Sequence, residues 1–256
     1  MGTKEKSWMN IGLLILTLGI NFLGGAGFIN NASQAEVSRE YQTLITPAGF
    51  AFSIWSLIYG LLMISLIVML VKRDETYYRK AIDVVSPIFW ISCVFNMVWI
   101  VSFSYYQIGL SNLFIFGYLI SLTLIVQKLL SIQDGKRWLL PLTFGLNAGW
   151  LFIASVVNVS AYLVQIDWDG FGVSDETWAI IMLAVSVVLA LVVLLRLKNA
   201  AFPLPIAWAY FAIFQELISV GGYSAVAITA IVGMVVLLLL AVFMYVRNNK
   251  AVTLIR

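Results

Sequence analysis

Eight apolar runs, each long enough to cross about 30 Å of hydrocarbon as a helix, restrict this chain to one kind of fold. They lie at about residues 10–29, 48–71, 84–105, 108–130, 138–164, 177–196, 201–220 and 223–246. None alternates like a barrel strand, so the backbone hydrogen bonds that lipid cannot supply must be made inside each segment. The predicted fold is all-α: a polytopic membrane helical bundle with eight transmembrane helices. A hydrophobic share of 62% fits, because soluble domains hold about 45–50% apolar residues.

The basic residues test the count independently, since cytoplasmic loops hold the excess of Lys and Arg. With the amino terminus inside, the inner segments contain 14 of the 15 basic residues, from Lys4 and Lys6 to Arg247, Lys250 and Arg256. Arg39 alone falls outside, and the outer loop after the fifth span carries Asp167, Asp169, Asp175 and Glu176 with no base. The expected location is the cell membrane, multi-pass, with both termini cytoplasmic. The first run is expected to remain as an anchor, because Asn21 and the glycines after it suit helix packing. The net charge of +3 then reflects topology, and nucleic acid is not an expected partner.

Composition also removes chemistry. There is no histidine and a single cysteine, Cys93, so an internal disulfide, His-based zinc sites, His triads and His-ligated haem are excluded. No Walker loop, dinucleotide fingerprint or nucleophile elbow is present. No metal, cofactor or catalytic residue is expected.

The polar residues divide the spans. The sixth and eighth hold little beyond Ala, Val, Leu, Ile and Met and read as lipid-facing. The third places Ser92, Asn96, Trp99 and Phe103 on one side, and the fifth repeats the device with Thr143, Asn147, Trp150, Ala154 and Asn158. On the second span Phe52, Trp55, Tyr59 and Met63 share a face. Asn in a membrane commonly makes interhelical hydrogen bonds of about 0.6 kcal/mol, and Trp near a span end is commonly an interfacial anchor. That second reading suits Trp90, Trp138 and Trp178. Trp55, Trp99 and Trp150 lie deeper, and their recurrence on three helices points to an aromatic-lined pocket. Glu216 is the one carboxylate well inside a span, about a turn from its outer end; it reads either as a functional acid or as a snorkelling group. The longest outer loop, Asn30 to Thr46, is placed to act as a lid.

Three segments resemble the TspO/MBR family, the translocator or tryptophan-rich sensory proteins. PAGFAFSIWSLIYGLLM, from Pro47 to Met63, is similar to the family's second helix. FNMVWIVSFSYYQIGLS, from Phe95 to Ser111, resembles its third helix, with Asn96 and Trp99 in the family's Asn-x-x-Trp register. Trp150 and Asn158 keep the spacing of eight found in the fifth helix. The likeness covers about residues 10–165 and implies a five-helix TspO-like core (1–165) plus three additional helices (166–256). It also implies a receptor or translocator that binds a planar hydrophobic ligand, a porphyrin-like tetrapyrrole, in a pocket capped by the first loop, and a tendency to form a homodimer. Trp55, Tyr59, Asn96, Trp99, Asn147, Trp150 and Asn158 are the ligand-binding candidates. The absence of histidine favours a metal-free porphyrin. The sequence departs from the family at Gly49 and Thr46, and no base stands among the five residues after Tyr162, so sterol binding is not implied. Two other readings stay open: a secondary transporter of a small amphipathic solute that uses Glu216, and a structural membrane partner without a small ligand.

Overall fold

The computed structural model describes residues 1–254, and among them the fold is helical. Eight long helices are apolar enough to cross a membrane: α1 (Thr3–Gly25), α3 (Ile54–Val71), α4 (Thr76–Ser104), α5 (Ile108–Ser131), α6 (Leu139–Gln165), α7 (Asp175–Leu197), α8 (Pro203–Val220) and α9 (Ser224–Arg247). A ninth helix, α2 (Gln34–Glu40), lies in the connector between α1 and α3, and a 3-10 turn at Gly49–Ser53 leads into α3. The chain is a multi-pass membrane protein.

Two helices begin well before their sequence-based starts, for the same reason. α1 begins at Thr3 instead of residue 10, and α4 at Thr76 instead of 84. Hydropathy marks only the lipid-crossing part of a helix, whereas hydrogen bonding continues into the polar zone. There Glu5 reaches back to the Gly2 N–H at 2.9 Å, and Lys6 pairs with Asp83 at 2.6 Å, joining the two extensions.

Alternating helices give the bundle two ends of opposite charge. One holds the short α3–α4, α5–α6 and α7–α8 connections and every basic residue but Arg39; Arg256, assigned to this end from the sequence, lies outside the described residues. The other holds the α1–α3 connector and seven carboxylates, from Glu36 to Glu216, with Arg39 as its one base.

α6 is the central helix, with 78% of its apolar window buried, against 28% for α7 and 33% for α9. Its glycines explain how α8 comes so near. A Cβ at Gly149 would run into the Phe202 carbonyl, and one at Gly145 would run into Asn199. Asn199 uses that space to donate to the Pro141 carbonyl at 2.8 Å and to accept from the Ala201 N–H at 2.9 Å. Midway along α8, the Ala48 N–H reaches the Ala212 carbonyl at 3.2 Å. Trp208 donates to the Ala51 carbonyl at 3.1 Å. These contacts fix α8 against both α6 and the entry to α3, and buried apolar contacts run from Leu14 on α1 to Met244 on α9.

Candidate ligand site

The aromatic residues of α3, α4 and α6 meet near the acidic end. Trp55 stacks on Tyr59 with ring centroids 5.0 Å apart and planes 13° apart. It lies 6.2 Å from Trp99 and meets Trp150 edge to face at 6.0 Å. Phe52 adds a second edge contact to Trp150 at 6.5 Å, and Phe103 packs on Trp99 at 6.4 Å. Between these rings lies a cavity of about 60 Å³, room for about two waters at ~30 Å³ each. Trp55, Trp99, Trp150 and Asn158 line it, with Phe52, Phe103, Pro47 and, from α2, Gln34 and Ser38.

The three remaining candidates, Tyr59, Asn96 and Asn147, are outside that lining. Tyr59 donates to Asn21 Oδ1 at 2.8 Å, Asn21 donates to Asn96 Oδ1 at 2.6 Å, and Asn96 donates to the Tyr59 hydroxyl at 3.3 Å. This closed triangle ties α1, α3 and α4. Asn147 exchanges hydrogen bonds with the Tyr118 hydroxyl of α5 at 3.3–3.4 Å. Asn158 lines the cavity, yet its amide is engaged: it donates to Ser111 Oγ and Asn112 Oδ1, both at 2.9 Å. Asn21 and Tyr118 complete these networks, and only their depth within apolar runs marks them in the sequence.

The indoles behave differently. Trp99 and Trp150 are 7% and 3% exposed, and neither indole N–H has a partner within the protein. Gln34 adds a third buried donor, its side-chain amide nitrogen, also without a partner. A buried donor left unpaired costs about 1–3 kcal/mol. The residues that line this cavity therefore combine flat apolar faces with three buried donors that have no partner within the protein.

The lid is α2. Ser33 caps it, accepting from the Glu36 N–H at 3.2 Å, while the Glu36 carboxylate accepts from the Ser33 N–H at 2.7 Å. The Ser-x-x-Glu spacing is the signal by which the sequence announces this helix. That bond to the Ser33 backbone N–H, with help from the Ser33 hydroxyl, holds the Glu36 carboxyl below its ordinary pKa. Seven residues do not make a stable helix alone, so α2 depends on docking. Its Val37 is fully buried beside Phe103, Ile108 and Ala161, worth about 1.5–3 kcal/mol. Gly24 of α1 makes the room: a Cβ there would come within 2.6 Å of Ile100 and 3.0 Å of Gln34.

Glu216 is elsewhere, about one turn from the C-terminal end of α8, partly exposed and accepting from Gln42 Nε2 at 3.2 Å. Among the described residues no cluster of His, Cys, Asp and Glu suits a metal ion.

A family model described as TSPO-like protein matches residues 7–243, and so takes in α7, α8 and most of α9 as well as the first five spans. No curated protein and no solved structure matches the chain.

Proposed function

The chain belongs to the TSPO-like protein family, and on that premise we propose that it binds a planar hydrophobic ligand, a porphyrin-like tetrapyrrole, between α3, α4 and α6. It does so as a receptor or translocator in the cell membrane with both termini cytoplasmic. The observation that carries this reading is the convergence of Trp55, Trp99 and Trp150 on one cavity beneath α2, with two indole N–H groups left unpaired. Tryptophan faces supply stacking, and the N–H groups supply hydrogen bonds to the ligand's carboxylate or carbonyl oxygens. A cavity of about 60 Å³ is far below the ~300–1,000 Å³ of a drug-sized site. The ligand therefore enters by displacing α2, whose docking rests on a contact worth only a few kcal/mol. The charge partition supports the orientation: the end rich in Lys and Arg faces the cytoplasm, and α2 opens to the other side.

Titration of the protein's tryptophan fluorescence with protoporphyrin IX tests the reading. Saturable quenching is expected, with Trp55→Phe and Trp150→Phe each weakening affinity severalfold or more. Variants that bind as tightly as the unaltered protein would remove this pocket as the site.

A further inference from the structure

A second and larger cavity, of about 420 Å³, opens at the acidic end where α6, α7 and α8 meet the α1–α3 connector. Its volume falls in the ~300–1,000 Å³ range of small-molecule sites. Two carboxylates from different helices reach it, Asp175 from α7 and Glu216 from α8, and three aromatic side chains line it, Trp168, Trp178 and Tyr223. No Lys or Arg is among its lining residues. Trp168 and Trp178 sit 5.0 Å apart between ring centroids. The Trp178 N–H is fixed on the Gly170 carbonyl at 2.8 Å, which holds that ring in place.

The two acids have different structural standing. Asp175 lies in the first turn of α7, where the helix dipole favours negative charge. Glu216 lies about one turn from the C-terminal end of α8, the end at which the dipole disfavours negative charge. Its recorded partner is the neutral Gln42 amide at 3.2 Å. Among the described residues, the ion pairs all lie at the opposite, basic end and none involves Asp175 or Glu216. The helix dipole thus accounts for Asp175 and leaves Glu216 unexplained. A carboxylate near the wrong end of a helix, lining one open cavity with a second carboxylate and aromatic faces, is the arrangement that attracts a positive charge carried on an apolar body.

We propose that this cavity binds small organic cations, amines or quaternary ammonium compounds bearing an apolar group. The charged head lies between Asp175 and Glu216, and the apolar part lies against Trp168, Trp178 and Tyr223. The site is independent of the tetrapyrrole pocket, since the two share no lining residue. It needs α7 and α8, so a five-helix bundle could not form it.

The test is calorimetric titration of the purified full-length protein, in detergent micelles, with benzyltrimethylammonium chloride and with its uncharged isostere neopentylbenzene. Saturable binding of the cation is expected, weakened by added salt and at least tenfold weaker in Glu216→Gln. The isostere should show no saturable binding, and Asp167→Asn, which removes a charge outside the cavity, should stay within twofold of the unaltered protein. Trp178→Leu should also weaken the cation; because Trp178 closes a loop as well, the near-isosteric Glu216→Gln is the deciding variant. The proposal is overturned if the cation gives no saturable heat or the isostere binds equally well. It is also overturned if Glu216→Gln retains full affinity, or if Asp167→Asn loses as much as Glu216→Gln.

Discussion

The amides and the indoles of α4 and α6 alternate along the same helix faces, yet the structure treats them in opposite ways. Asn96, Asn147 and Asn158 have their side chains tied to Asn21, Tyr59, Tyr118, Ser111 and Asn112. Trp99 and Trp150, one turn away from Asn96 and Asn147, keep their N–H groups unpaired. Satisfied polar groups hold helices together, and unsatisfied ones are free for a ligand. On the proposed function, a stripe that reads as a single feature in the sequence is two layers, one cohesive and one receptive.

The widest separation between the layers is expected in ligand affinity. Trp99→Phe combined with Trp150→Phe keeps apolar rings in place and deletes both N–H groups. Each hydrogen bond to a charged acceptor is worth about 1.5–3 kcal/mol, so protoporphyrin should bind at least tenfold more weakly, while the melting temperature in detergent changes little. A fall in stability as large as that in affinity would erase the distinction.

Access to the receptive layer is the next test. Val37→Ala removes two methyl groups from the contact that docks α2, about 1.6 kcal/mol at ~0.8 kcal/mol per group. Stopped-flow quenching should then show porphyrin association about tenfold faster, the amides being untouched. An unchanged rate would mean that entry does not pass beneath α2.

The cohesive layer should respond in stability instead. Asn96→Ala strips partners from both Asn21 and Tyr59, a loss of roughly 1–2 kcal/mol given the modest worth of such bonds in membranes. Thermal unfolding is expected about 2–8 °C lower for a chain of this size, with porphyrin affinity within twofold.

The smallest effect concerns the cap of α2. Because Glu36 is ionised more readily in the fold than free, its contribution is present above the ordinary carboxylate pKa and is lost as pH falls through the lowered folded value. Acidification into that range should speed porphyrin association slightly in the unaltered protein and leave Glu36→Gln unaffected. A pH response of equal size in Glu36→Gln would assign it to another group.

Hydropathy and charge make the eight spans legible, because both are set by the solvent and need no partner. The pocket is legible in part, since a large aromatic side chain deep in a span must meet something flat. What the sequence conceals is partnership. Asn96 and Trp99 stand three residues apart, and their different fates depend on Asn21, far away on α1. Trp90, which near a span end reads as an interfacial anchor, donates its N–H to Asn10 of α1 at 2.7 Å. The short lid helix is signalled by Ser33 and Glu36 but is too brief to stand out by periodicity. The acidic cavity is the least legible feature, because its walls come from four separated stretches of chain.

The missing side chain at Gly149 bears on how this protein comes apart. With backbone against backbone at Phe202, and with Asn199 bonded across the seam two turns away, α6 and the start of α8 have at this crossing no layer of side chains that could slide or thin. They should open together or not at all. Under hydrogen exchange, the two helices are expected to form one slow cooperative unit, while α2 exchanges through small local openings.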